Sequence, residues 1–417
     1  MSKNWAVLGA GVSGLTAARL LHDRGDTAVV YEKEPTCGGL ARTRITDGFV
    51  YDPHGGHIFN SKHPEVVEWV FSVLPNDQWQ FNVRNAKIFF DGLYVSYPFE
   101  LSLCELSEED ALDCAYDYLM AQVGPEPENF RDWLTWNFGA GIADRYMIPY
   151  NSKIWAYPLE KMGTSWMRGK MPLPEKKELL RSLVMKDPTE RKMPHSTFYY
   201  PLHGGIQTMI DAIAEPLDVK LDCAVTRICS SGEGWTVNGE GPYDGIICTI
   251  PLKELPDIMD LPSDVSSAIE GLKYNSLNTV LFDCPSTDIS WLYIPGNHYR
   301  AHRVGYQSAL TPYATPNGQG SGALEFIGER AEIDDQMITR GHLIPEELEP
   351  NRIIDSQYTE YAYVIHDLNY QNNTLLVRNY FEQLEGFNLT GRWALWNYKN
   401  MDLCMKDSMS LVERLIR

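Results

Sequence analysis

Trp5-Ala6-Val7-Leu8-Gly9-Ala10-Gly11-Val12-Ser13-Gly14 joins a short apolar run to a G-x-G-x-x-G turn. Beyond it, Leu15, Ala18, Leu20 and Leu21 recur at helical spacing, and a second apolar run from Thr27 to Tyr31 stops at Glu32. Strand, glycine turn, helix, strand and acid, in that order, form the pattern of a dinucleotide-binding βαβ unit. Gly9 permits the tight turn, Gly11 lets a pyrophosphate approach the backbone, and Gly14 lets helix and strand pack closely. Val12 and Ser13 open the helix, whose free N–H groups and partial positive charge favour phosphate. Glu32, with Lys33 beside it, is placed to meet a ribose diol. A bare glycine motif is weak evidence; the flanking strands and the acid in register make it informative.

The 417 residues suffice for two or three domains and a large core. Charged residues make up 22% and hydrophobic ones 44%, the balance of a globular chain. A net charge of −20 argues against nucleic acid as a partner, because binding it requires basic surface. A small phosphorylated ligand needs only two or three well-placed cations. No apolar run approaches the roughly 20 residues that span a bilayer, and the N-terminus lacks the pattern of a secretory leader. A soluble, cytoplasmic protein with no membrane partner is expected. The eight cysteines are scattered without C-x-x-C spacing, so they read as reduced thiols and no metal site is expected.

Two further glycine clusters follow. Cys37-Gly38-Gly39-Leu40-Ala41-Arg42 lets backbone pass close to something flat or bulky, a need that a flavin creates and a nicotinamide does not. His54-Gly55-Gly56-His57-Ile58-Phe59 is a glycine loop with flanking histidines, read as lying against a cofactor ring. Asp91-Gly92 between Ala86–Phe90 and Leu93–Val95 signals a hairpin. Helical patterns run from Glu108 to Val123, Asn129 to Trp136 and Ile142 to Ile148, the last stopping before Pro149, and again from Glu175 to Lys186. The run Gly245 to Ile250 reads as a buried parallel strand returning to the first sheet. Thr374 to Arg378 reads as another strand, and a helix closes the chain.

The expected fold class is α/β, with a discontinuous Rossmann-like FAD-binding domain (residues 1–80, 202–273 and 356–417). An inserted helical domain (100–171) and an antiparallel β-sheet substrate domain (81–99, 172–201 and 274–355) complete it.

Several blocks together resemble the flavin-dependent UDP-galactopyranose mutases and their relatives, which share an FAD scaffold with amine and protoporphyrinogen oxidases. The resemblance runs nearly end to end. Gly55-Gly56-His57-Ile58-Phe59 is similar to the loop that lies against the flavin. Tyr150-Asn151-Ser152-Lys153-Ile154-Trp155 resembles the segment whose aromatics contact the uridine and sugar. His302-Arg303-Val304 resembles the strand whose arginine holds the substrate diphosphate, and Tyr361-Ala362-Tyr363 the block with a tyrosine near it. Gly391-Arg392 through Tyr398-Lys399-Asn400-Met401-Asp402 is similar to the terminal block that meets flavin and substrate.

The resemblance implies FAD, active when reduced, with NAD(P)H as one candidate reductant. It implies cofactor contacts at Gly9, Gly11, Val12, Ser13, Gly14, Glu32, Lys33, Gly38, Gly39, Leu40, Ala41, Gly56, His57, Ile58, Asn400 and Met401. It assigns catalysis to Arg303, Arg392, Tyr398 and His57, and substrate binding to Tyr150, Trp155, Tyr200, Tyr363, Tyr398 and the two arginines. Phe198 and Tyr199 compete with Tyr200 for its role. The implied reaction interconverts the pyranose and furanose forms of a nucleotide sugar with no net redox change, reduced flavin N5 attacking the anomeric carbon to form a covalent adduct. A homodimer is one assembly it leaves open. The alternative is an oxidase or desaturase of the amine or protoporphyrinogen oxidase kind.

The chain departs from the family at three points. Pro174 stands where a second diphosphate arginine is expected, with Lys170 or Arg168 as candidate replacements. Asn60 replaces a histidine, and Asn400 replaces an acid. Arg145 and Arg300 read as ordinary ion-pair arginines, and Glu325 and Glu329 as a solvated strand end.

Overall fold

The computed structural model describes residues 2–167, 171, 173–187, 196–339 and 343–415. Asn4–Leu8 is the central strand of a five-stranded parallel sheet. It is flanked by Thr27–Tyr31 on one side and Gly245–Cys248 on the other, and Asp218–Lys220 and Phe387–Leu389 form the edges. Strands from the start, middle and end of the chain thus share one sheet. Both faces of that sheet are covered, as an all-parallel sheet requires. Val7 packs with Leu15, Ala18 and Leu21 of the helix Val12–His22 and with Met405, Leu411 and Val412 of the closing helix Met401–Leu415. Ala6, Leu8 and Ile246 face the opposite way, towards Val377, Phe381 and Trp396.

A seven-stranded sheet forms the second layer, in the order Ile353–Ile365, Lys273–Cys284, Gly320–Ile327, Arg303–Gly305, Trp291–Tyr293, Ala86–Phe90, Leu93–Ser96. It was expected to be antiparallel, and one pairing is parallel: Trp291–Tyr293 runs alongside Ala86–Phe90. The Asp91-Gly92 hairpin forms as expected, with φ of 48° and 80° at its two turn residues, the double positive φ of a type I′ turn. Residues Trp79–Val83 stay out of this sheet and pair with Thr197–Pro201 as a separate ribbon.

Helices Glu108–Met120, Phe130–Ile142 and Ile148–Trp155 make up the insertion. Two local expectations fail here and at the C-terminal end. The third helix was expected to stop before Pro149. It instead opens with Pro149 in its first turn, where a missing N–H costs no helical hydrogen bond, after one π-helical turn at Ala143–Met147. Thr374 to Arg378 is not a strand; it lies inside the helix Tyr370–Glu382. Its apolar run read as a strand, but the buried set is Tyr370, Thr374, Val377 and Phe381, a helical stripe that faces the core. No helix among the described residues is long and apolar enough to cross a membrane.

Candidate active site

The glycine turn, with loops of the parallel-sheet layer and residues of the seven-stranded sheet, encloses a cavity of about 680 Å³. At one end, Gly9, Gly11, Val12, Ser13, Glu32, Lys33, Gly38, Gly39, Leu40 and Ala41 line it. Gly38 N–H donates to the Ala10 carbonyl at 2.8 Å, and Gly11 forms a bridge with Gly38. A Cβ on Gly39 would stand 3.2 Å from Gly11 Cα, at a φ of +56°, so side chains here would close the cradle. The helix Val12–His22 has no side-chain cap and no acid in its first turn, which leaves its N-terminal N–H groups for an anion. Glu32 accepts from Ala10 N–H at 2.7 Å and Glu34 N–H at 3.0 Å, fixing the turn while its carboxylate lines the cavity. Gly14 does not line it. A Cβ there would lie 2.0 Å from the Gly9 carbonyl oxygen, so this glycine serves the helix–strand contact.

At the other end, Gly56, His57, Ile58, Asn400 and Met401 line the cavity together with Arg303, Tyr363, Arg392 and Tyr398. Asp52, fully buried, holds the His57 loop. It accepts from His57 N–H at 3.0 Å, Thr43 Oγ1 at 2.7 Å and the Tyr200 hydroxyl at 3.3 Å. Burial, reinforced by Arg392 and Arg303, pushes His57 down to about 4, so its imidazole is neutral near pH 7 and its Nδ1 meets no partner among the described residues. His57 is therefore a poor proton donor there. The sequence singled out His57 but missed Asp52, which lies five residues before it.

Arg303 is held by Glu325. The two face each other across antiparallel strands, and the guanidinium reaches both carboxylate oxygens at 2.7 to 3.1 Å. Glu325 is 1% exposed, which corrects its reading as a solvated strand end. Burial opposes the guanidinium's charge, but Glu325 outweighs it and raises Arg303 well above its ordinary value. Arg392 differs. Its Nη2 donates to the Ala362 carbonyl at 2.7 Å, its guanidinium carbon lies 4.6 Å from the Tyr398 ring centre and 5.5 Å from that of Tyr363, and its buried Nε has no acceptor among the described residues. A buried donor without a partner favours an acceptor arriving from the cavity.

Three expected substrate residues do not line the cavity. Tyr200 is fully buried against Asp52. Trp155 is 4% exposed, donates to Asn151 Oδ1 at 3.2 Å, and backs the rings of Tyr363 and Tyr398 at 6.2 and 6.0 Å. Tyr150 stacks on Tyr146 and meets Tyr293 edge-on. These rings position the wall instead of forming its surface. Arg84, Trp291 and Tyr293 do line the cavity, unmarked by any local motif; Arg84 Nη2 donates to the Tyr293 hydroxyl at 2.7 Å. Asn60 lines it too and donates to the Thr197 carbonyl. Arg168 and Lys170 lie outside the described residues. Among the described residues no group of three or more metal-ligating side chains occurs.

Comparison with known proteins agrees with this geometry. Across 99% of this chain and 96% of its own length, the UDP-galactopyranose mutase of Mycoplasma pneumoniae is 21% identical. The mitochondrial protoporphyrinogen oxidase of Nicotiana tabacum is 25% identical over 60% of this chain, which spans 58% of that enzyme's length. A reduced UDP-galactopyranose mutase superposes with a TM-score of 0.88 at 23% identity, covering 100% of this chain and 96% of that one. A putative protoporphyrinogen oxidase from Exiguobacterium gives 0.75 at 17% identity, covering 100% and 99%. The family model for flavin-containing amine oxidoreductases matches residues 12–343. The glycine cradle, the uncapped helix and the ring-end loop fit the flavin of that family, and the chain belongs to the flavin-containing amine oxidoreductases.

Proposed function

We propose that this protein is an FAD-dependent mutase that interconverts the pyranose and furanose forms of a nucleotide sugar such as UDP-galactose. Arg392 carries the reading: a half-buried guanidinium, partnered by a carbonyl and aromatic faces, opens towards the ring end of a dinucleotide cavity. An amine cation has no use for such a group, whereas a diphosphate matches its fork. The full-length similarity to a mutase points the same way.

The flavin, bound and reduced, supplies the nucleophilic electron pair for displacement at the anomeric carbon. The chain's own residues do the rest. Arg392 and Arg303 bind the diphosphate and retain it as a leaving group. Tyr363 and Tyr398 provide ring faces and hydroxyls beside it; burial holds the Tyr363 phenol above its ordinary value, so it stays a donor. Neutral His57 and the Asp52-anchored backbone shape the ring end without adding charge. Trp155, behind the two tyrosines, holds the wall that keeps water out.

UDP titrated into the FAD-loaded protein should perturb the flavin absorption, and Arg392→Ala should weaken that binding 10-fold or more. A flavin spectrum unmoved by millimolar UDP contradicts the reading. Glu325 and Arg303 form a charge-neutral pair that suits an oxidase equally well, so Arg392 is the discriminating group.

A further inference from the structure

Lys153 lies between Tyr150 and Trp155 on the insertion helix Ile148–Trp155. Its Nζ donates to three backbone carbonyls: Ile294 at 2.7 Å, Gly296 at 3.0 Å and Ala301 at 2.6 Å. An ammonium has three N–H donors and no acceptor, so this set uses every one of them. The three carbonyls belong to the loop that joins Trp291–Tyr293 to Arg303–Gly305, a hairpin in which Tyr293 stands opposite Arg303. Ile294 N–H donates to the His302 carbonyl at 2.9 Å and closes that loop. Lys153 thus fills the turn of the hairpin that carries Arg303, and its last contact, Ala301, comes two residues before it.

The same helix is pinned again at its C-terminal end. Asn275 Nδ2 donates to the carbonyls of Ile154 and Trp155 at 3.0 Å each, and its Oδ1 accepts from Tyr363 N–H at 3.2 Å. One helix is therefore fastened to the strands of both Arg303 and Tyr363, which line the cavity. We propose that Lys153 is a positioning residue: its ammonium locks the turn between Ile294 and Ala301, and through that turn it sets Arg303 against the diphosphate of the ligand. The identity of the ligand rests on the nucleotide-sugar reading; the clamp does not.

A neutral amine has only two N–H groups and would leave one of these carbonyls without its donor. Burial pushes Lys153 down to about 7, so the clamp is complete below that pH and loses a donor above it. Tyrosines aside, the ionisable groups on the elements packed against it are His298, Arg300, His302 and Arg303 on the hairpin and Glu325 on Gly320–Ile327. Burial keeps His302 neutral, the Arg300 guanidinium lies 4.2 Å from the Phe326 ring centre, and Glu325 is taken up by Arg303. Tyr150, on the same helix, is held well above its ordinary value by burial. Among the described residues no carboxylate pairs with Lys153 to retain its proton.

The test uses oxidised, FAD-loaded protein. Hydrogen–deuterium exchange of residues 294–303 is read by mass spectrometry, and UDP-galactose affinity by calorimetry at pH 6 and 8.5, a range in which that ligand does not titrate. At pH 6, Lys153→Met should speed exchange of this segment about 10-fold, leave Thr27–Tyr31 unchanged, and weaken UDP-galactose about 5-fold. The loss of affinity from pH 6 to 8.5 should be roughly 3-fold greater in the wild-type protein than in Lys153→Met, which has no proton to lose, or Lys153→Arg, which stays charged. A dependence common to all three belongs to other groups, such as Asp52. Unchanged exchange or affinity in Lys153→Met, or one pH profile shared by all three proteins, overturns the proposal. If Lys153→Met fails to retain flavin, the wild-type profile against that of Lys153→Arg decides. If the wild-type protein binds no UDP-galactose, the nucleotide-sugar reading falls and the exchange measurement decides the clamp alone.

Discussion

Glu325 stands directly opposite Arg303 across two antiparallel strands, and its two oxygens take three hydrogen bonds from that guanidinium. The carboxylate is 1% exposed and also lies 3.4 Å from Gly56 N–H, so the ring-end loop and the arginine share one anchor. Removing one partner of a buried pair leaves the other uncompensated, at a cost of about 3 kcal/mol. Arg303→Ala should therefore lose both stability and nucleotide binding. The pair Arg303→Met with Glu325→Gln should recover most of the stability, read from urea denaturation, and none of the binding.

Arg392 should behave differently, because among the described residues no carboxylate pairs with it. Arg392→Lys keeps the charge but loses the planar fork, and it should weaken UDP binding about 10-fold while shifting the urea midpoint little. A large stability loss would make Arg392 a structural residue.

The glycine turn gives a contrast between space and backbone. In Gly14→Ala the new Cβ would lie 2.0 Å from the Gly9 carbonyl oxygen, against backbone that cannot yield. This variant should purify without bound flavin. At Gly25 a Cβ meets nothing within 4 Å, but its φ is +88°. Gly25→Ala should cost about 1–2 kcal/mol and retain its flavin. The ratio of flavin to protein absorbance separates the two.

Glu100 gives a pH signature remote from the site. It is 1% exposed, its Oε1 has no partner among the described residues, and burial pushes its carboxyl up to about 8. The unfolded chain releases this proton near pH 4.5, the folded chain only near 8, so folding loses stability as pH rises between those values. Glu100→Gln should be close to neutral at pH 5 and stabilising at pH 8, on the order of 3 kcal/mol. Urea midpoints at the two pH values check it.

What the sequence made legible was local. Gly9 to Glu32 carries its strand, turn, helix and acid within one contiguous stretch, and the Asp91-Gly92 hairpin depends on two residues. Arg303, Arg392, Tyr363 and Tyr398 were found through short motifs and do meet at one end of the cavity. The misses depend on the direction in which side chains point. Tyr200 and Trp155 were taken for the surface of the wall and lie behind it, because rotation about a strand or helix axis is fixed by packing against distant elements. Glu325 went unrecognised because its partner is 22 residues away on a neighbouring strand. Thr374 to Arg378 misled because Leu375 and Leu376 are exposed, so the apolar run hid the helical stripe beneath it.

The central claim is that a nucleotide sugar is rearranged here without net oxidation. The direct measurement is proton NMR of UDP-galactopyranose incubated anaerobically with dithionite-reduced, FAD-loaded protein, with the flavin absorbance followed in the same sample. The account predicts that furanose anomeric signals grow to an equilibrium level while the flavin stays reduced, and that no furanose forms with oxidised flavin. Absence of furanose from this and other sugar nucleotides, with oxidation of an amine or porphyrinogen by the same protein, would contradict it.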